Sequence, residues 1–182
     1  MFDFENLPHR CPGCMKEKPE GQICPFCGFS EDADQFSPLL PLKTVIDERY
    51  LVGRALETNG EGVTYIGYDL TQDSTVRIRE YLPAGLCVRE DKAAVRITAG
   101  HEYTYNQGLM TFLELARSLA RMRELPALLP VYDIFESGGT AYYVSETIES
   151  VTLREFLLRN GGSLSWEQAR PIFMPLLSAI GA

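Results

Sequence analysis

Lysine is scarce in this sequence: it stands only at Lys16, Lys18, Lys43 and Lys92 of 182 residues. The span between Lys43 and Lys92 therefore supplies no ammonium group to any site built there. Basic charge as a whole is in deficit, 17 Lys and Arg against 25 Asp and Glu, a net of −8. That balance argues against a nucleic-acid or anionic-membrane surface as the main business. No apolar run approaches the ~20 residues that span a bilayer. The first ten residues, MFDFENLPHR, have neither a basic nor an apolar leader region. No signal peptide is expected, and a cytoplasmic location is. What remains, 45% hydrophobic and 23% charged residues, describes a globular chain with a real core.

Cysteine is also sparse, five in all, but four are arranged. Cys11-Pro-Gly-Cys14 and Cys24-Pro-Phe-Cys27 are separated by nine residues. Each CxxC turn points two thiolates at one centre, and two turns supply the four soft ligands that tetrahedral Zn²⁺ prefers. Residues 1–30 thus read as a short zinc ribbon whose metal supplies the folding energy, with Gly28 suited to the tight turn after the second pair. Redox or free thiols are the bland alternative. Cys87 stands alone and reads as a packing residue. Residues 31–48 are acidic and then punctuated by proline, with no helical or strand period, and read as a linker. Leu39, Leu40 and Leu42 could anchor it on the following domain.

From residue 49 the pattern changes. Tyr50–Leu56 and Val63–Leu70 flank a turn rich in Asn and Gly and predict a hairpin. Val76–Tyr81 predicts a third strand, stopped by Pro83, and Ala94–Ile97 a short one. Leu109, Phe112, Leu113, Ala116, Leu119 and Ala120 follow the spacing of an amphipathic helix from Glu102 to Arg123. Pro130–Glu136 and Thr140–Glu146 around Gly138-Gly139 predict a second hairpin. Thr152-Leu-Arg-Glu155 is a capping box. Ser165 opens a last helix, which Pro175 should bend or break. The fold class is α+β: five mostly antiparallel strands with one helix packed on them, then further helices.

The segments RYLVGRAL (49–56), GVTYIGYDL (62–70), VRIREYLP (76–83), GLMTFLELARSLARM (108–122), LPVYDIFESGGTAYYVSE (129–146) and TLREFL (152–157) occur in an order that resembles the N-terminal lobe of a bacterial serine/threonine protein kinase. The resemblance covers residues 42–182. It implies an ATP cleft under the first hairpin turn, a hinge after Glu146 and a helical C-lobe, of which 49–182 holds the first helices only. No HRD and no DFG occurs, so no catalytic residue is assigned.

The resemblance also locates the cleft residues, and they depart from the family pattern. The three glycines of the phosphate loop fall at Glu57, Asn59 and Gly62, with Gly60 off-pattern and Glu61 at the aromatic tip. Carboxylates beside a triphosphate cost on the order of a kcal/mol each. The lysine of the third strand falls at Arg79 and the small alanine before it at Arg77. Both lie on one face of the strand, and an arginine fork does not replace a compact ammonium. The helix glutamate that should pair with the lysine falls at Leu115. Ser145 and Glu146 complete the degraded cleft on the hinge side. An ion pair of Arg77 or Arg79 with Glu57, Glu61 or another acid is expected to fill it.

The leading reading is a pseudokinase-like regulatory or binding module in bacterial signalling, with structural zinc and without dependence on ATP and Mg²⁺. A fragment of an atypical kinase that still binds ATP is the second reading, and a zinc-ribbon nucleic-acid binder the third. A protein partner or the absent C-lobe is expected, and an exposed apolar face near Trp166, Phe173 and Leu176 predicts self-association or a C-lobe on a longer parent chain.

Overall fold

The computed structural model describes residues 9–19, 23–30, 35–90 and 93–180. Residues 1–8, 20–22, 31–34, 91–92 and 181–182, which fall within the expected ribbon, its linker and the later domain, lie outside the described residues. In chain order the elements are β1 (Val45–Ile46), β2 (Tyr50–Asn59), β3 (Gly62–Asp69), β4 (Ser74–Tyr81), β5 (Cys87–Arg89), β6 (Val95–Ile97), α1 (Glu102–Arg121), β7 (Val131–Ser137), β8 (Thr140–Glu146), α2 (Leu153–Arg159) and α3 (Trp166–Ile180). One antiparallel sheet runs β1-β2-β3-β4-β8-β7, and β5-β6 form a separate two-stranded ribbon. The class is α+β as expected, but the main sheet has six strands rather than five. The extra one is β1, inside the stretch read as linker. Its two residues are too few to carry a period.

The first hairpin closes through Asn59, whose side-chain oxygen accepts from the backbone N–H groups of Glu61 and Gly62 at 3.1 and 3.0 Å. The second closes through Gly138 and Gly139, with φ of 60° and 82°, the left-handed values that a two-residue hairpin turn requires. Thr152 and Glu155 cap α2 reciprocally. α3 runs as one helix through Pro171 and Pro175, so Pro175 does not break it. None of its residues is buried, so water can satisfy the carbonyls that each proline leaves without an N–H partner.

Strand alternation gives the sheet two faces. On one, Val63 and Tyr65 of β3, Val76 and Ile78 of β4 and Tyr142 and Val144 of β8 form the main core with Leu40, Cys87 and Tyr105. Leu40 is fully buried and Leu39 packs beside it, so the stretch before β1 is part of the core. Cys87 is buried, its thiol donating to the Pro83 carbonyl. The other face holds a smaller cluster of Leu51, Ile66, Tyr68 and Met15.

At the end of the sheet where β2 begins, Arg49 holds Asp69 through two bonds of 3.0 and 2.7 Å and reaches Asp133 at 3.2 Å. Lost hydration raises the Asp69 pKa. The Arg49 bonds and the Gln72 and Thr71 amides outweigh that and hold it below the usual carboxylate value. A depressed carboxylate contributes stability above its unfolded pKa and loses it as pH falls through the folded one. Asp69→Asn should therefore flatten the acid limb of a stability-against-pH curve measured by urea unfolding. Parallel curves for the two proteins would contradict the assignment.

Candidate functional site

β4 separates two chemistries. Val76, Ile78 and Glu80 face the core, and Arg77 and Arg79 face the opposite way, as the period of two demands. Arg77 is paired across the sheet with Ile66 on β3 and Ser145 on β8, and Arg79 with Thr64 and Tyr143. Arg79 donates to Thr64 Oγ1 at 3.1 Å and to Asn59 Oδ1 at 2.7 Å. The fork of a β4 arginine therefore ties down the hairpin turn. The expected ion pair is not formed: among the described residues no carboxylate lies within 4.0 Å of Arg77 or Arg79. Glu57 and Glu61 are exposed, and the Asn59 oxygen, already fixed by the turn, takes the place of an acid.

The remaining cleft residues are spread around this face. Gly62 has a structural reason to be glycine, because a Cβ there would lie 2.0 Å from the Glu80 carbonyl oxygen. Gly60 meets nothing within 4 Å. Leu115 is 54% exposed on α1. It lines an apolar groove of about 340 Å³ with Tyr81, Pro83, Phe112 and Glu61, and no ion pair joins α1 to β4 among the described residues. Ser145 is buried and Glu146 half-buried at the end of β8.

The cysteines converge. The four Sγ atoms of Cys11, Cys14, Cys24 and Cys27 lie within 4.8 Å of one another, with Cys11–Cys27 and Cys14–Cys24 both at 3.7 Å. Sulfurs about 2.3 Å from a tetrahedral Zn²⁺ stand about 3.8 Å apart, so the set fits a tetrahedral thiolate ion. The Gly13 amide donates to Cys11 Sγ at 3.3 Å. Burial pushes the Cys14 thiol up to about 12. Cys24 is also raised by lost hydration, but the Phe26 and Cys27 amides overcome this and bring it down to about 6. A cation at the centre would favour the thiolate form of all four.

Sequence reasoning missed where this knuckle rests. Met15, 1% exposed, packs on Leu51, Ile66 and Tyr68. A Cβ on Gly53 would come within 2.2 Å of Met15 Cε and 2.4 Å of the Pro12 carbonyl oxygen. Arg54 donates from its backbone to Pro12 O and from Nε to Gly13 O, at 2.8 and 3.1 Å. Arg10 lies 3.6 Å over the Tyr68 ring and reaches Asp73. Ile66 is the cross-strand neighbour of Arg77, so the knuckle covers part of the same face that carries the two arginines.

Sequence reasoning also missed the group on the opposite face. Glu80 is 0% exposed. It accepts from Arg89 at 2.6 and 2.7 Å, from Tyr65 OH at 2.8 Å and from Tyr142 OH at 2.9 Å. Arg89 also donates to the carbonyls of Pro38 and Ala93. The only signal in the sequence is an acid at an inward position of an alternating strand.

No protein-family model matches the chain. The serine/threonine-protein kinase PknL of Mycobacterium tuberculosis (strain ATCC 25618 / H37Rv) is 34% identical over 122 residues, 66% of this chain and 26% of PknL. The serine/threonine-protein kinase PknD of Protochlamydia amoebophila is 25% identical over 159 residues, 85% of this chain and 14% of PknD. The solved structure "PpkA-294 apo form" superposes with a TM-score of 0.71 at 30% identity, over 79% of this chain and 51% of that one. This chain has a kinase-like N-lobe of the bacterial serine/threonine protein kinase family. It spans about a quarter or less of the length of the curated relatives it matches. α2 and α3 then follow the N-lobe with no buried residue, Trp166, Phe173 and Leu176 being 71%, 40% and 42% exposed. No helix among the described residues is long and apolar enough to cross a membrane.

Proposed function

We propose that the chain is a non-catalytic, kinase-like binding or regulatory module of bacterial signalling, a pseudokinase N-lobe carrying a structural zinc ribbon. In this reading residues 1–30 are the ribbon, 31–48 the connection and 49–182 the kinase-like part. Cys11, Cys14, Cys24 and Cys27 hold zinc in the reducing cytoplasm. Glu57, Asn59, Gly60, Glu61, Gly62, Arg77, Arg79, Leu115, Ser145 and Glu146 form a nucleotide cleft that has lost its ligand. The observation that carries the reading is the engagement of Arg79. Its fork is spent on Thr64 and Asn59, where a lysine paired to a helix glutamate would be needed for phosphoryl transfer. The apolar side chains exposed on α3 fit a module that works against another protein surface.

The test is a thermal-shift titration with ATP and Mg²⁺. The melting temperature should not move. A saturable rise that disappears in Arg79→Ala would overturn the reading in favour of an atypical ATP-binding kinase fragment.

A further inference from the structure

We propose that Cys27 and Cys11 form a hydroperoxide-sensitive thiol pair whose oxidation releases the first knuckle from β2. The proposal rests on the zinc-ribbon reading above and adds a chemistry to it. Of the four clustered cysteines, Cys27 is exposed, whereas Cys11 is fully buried. Their Sγ atoms stand 3.7 Å apart across the two turns. A thiolate is oxidised according to its exposure, and a second sulfur within reach turns the first product into a disulfide. The Cys27 thiolate would attack one oxygen of the hydroperoxide, breaking the O–O bond and releasing an alcohol, or water when the oxidant is hydrogen peroxide. The Cys11 thiolate then displaces hydroxide from the Cys27 sulfur. In sum, two thiolates, one hydroperoxide and two protons give one disulfide, one alcohol and one water: the sulfurs are oxidised and the peroxide oxygens reduced.

The first knuckle is folded on Cys11. The Cys11 carbonyl accepts from the Cys14 and Met15 amides at 3.3 and 2.8 Å, and its Sγ accepts from the Gly13 amide at 3.3 Å. A disulfide holds its sulfurs about 2 Å apart, so the bond must draw Cys11 and Cys27 together from 3.7 Å and removes both from the set of four ligands. The groups that grip the sheet are interleaved with those ligands. The Pro12 and Gly13 carbonyls take the Arg54 amide and Nε at 2.8 and 3.1 Å, and Met15 lies against Gly53. Met15 has a φ of 61°, a left-handed conformation that a residue with a side chain keeps only where its surroundings hold it. The strand depends on the knuckle in turn. Pairing of β2 with β3 passes from Val52 opposite Gly67 to Ala55 opposite Tyr65, which leaves a bulge at Gly53 and Arg54. The Arg54 N–H within that bulge is bound by Pro12. Knuckle and bulge hold each other, and a displacement at Cys11 acts on both.

The experiment titrates the zinc-loaded chain with hydrogen peroxide in the absence of thiols. It follows zinc release to a colorimetric chelator, disulfide connectivity by peptide mass spectrometry, and amide hydrogen exchange. Peroxide should release the zinc, form the Cys11–Cys27 bond first, and speed exchange of the Arg54 amide by about tenfold or more. A dithiol with added zinc should reverse all three. Cys87→Ala, which removes the buried cysteine outside the cluster, should leave the response unchanged. Cys27→Ala should slow disulfide formation by about tenfold or more; if that variant does not fold, the connectivity in the wild-type chain decides. A first disulfide through Cys14, Cys24 or Cys87, zinc retained under excess peroxide, or an Arg54 amide still protected once Cys11 and Cys27 are joined would overturn the proposal. A chain that purifies without zinc would defeat the zinc reading, and its disulfide map would still decide this one. A zinc-loaded chain indifferent to peroxide would defeat this proposal alone.

Discussion

Arg89→Leu is expected to lower stability by about 3–5 kcal/mol, the usual result of removing one partner from a buried ion pair. Arg89 and Glu80 have side chains 4% and 0% exposed, so the carboxylate left behind could reach no solvent. It would keep only the Tyr65 and Tyr142 hydroxyls as donors. The loss would also spread, because Arg89 bonds to the carbonyls of Pro38 and Ala93. The stretch before β1 and the β5–β6 ribbon should both loosen. For a chain of this size the melting temperature should fall by on the order of 10 °C. Replacing both charges, as Glu80→Met with Arg89→Leu, should recover only part of the loss, since the two tyrosine hydroxyls would then be orphaned. Urea unfolding of the three variants measures all of this. A single variant within about 1 kcal/mol of wild type would show that the pair is dispensable.

Removing the metal should be as damaging, by a different route. The purified chain is expected to carry one zinc, and Cys14→Ser or a strong chelator should remove it. Structural zinc contributes about 10–16 kcal/mol of apparent binding energy in small metal-folded peptides, and the two knuckles have little core beyond Met15 and the cysteines. Once they open, Leu51, Ile66 and Tyr68 lose their cover. The readout is hydrogen exchange: amides of β2 and β3 should lose protection, and the chain should bind a hydrophobic dye. Met15→Ala should reproduce part of this with zinc still bound, at about 2–5 kcal/mol. Unchanged exchange in β2 and β3 after zinc loss would mean that the ribbon and sheet are energetically separate.

Much of this architecture could be read from short-range patterns. The helix α1 was visible in the spacing of Leu109, Phe112, Leu113 and Ala116. The hairpins were visible in their glycines, and the metal cluster in two CxxC pairs. Each signal is local, fixed by neighbours within a few residues. What was hidden depends on residues far apart in the chain. Nothing about Arg89 in isolation says that it lies against Glu80, and nothing about Met15 says that Gly53 leaves room for it. Charge alone points Arg79 to an acid, whereas its partners are Thr64 and Asn59, the latter placed there by the geometry of the turn. β1 was hidden by brevity, and the continuity of α3 by the general rule that proline interrupts helices, which weakens where no side of the helix is buried.

The alternation on β4 also bears on how the sheet finds its pairing during folding. A slip of one residue would exchange its two faces at once. Arg77 and Arg79 would be driven into the apolar interior among Tyr65, Tyr142 and Val144. Glu80 would be carried out to the other side, away from Arg89. The five residues Val76 to Glu80 therefore disfavour a one-residue slip of the central strand, because only the native registration keeps both arginines out of the apolar core and Glu80 beside Arg89.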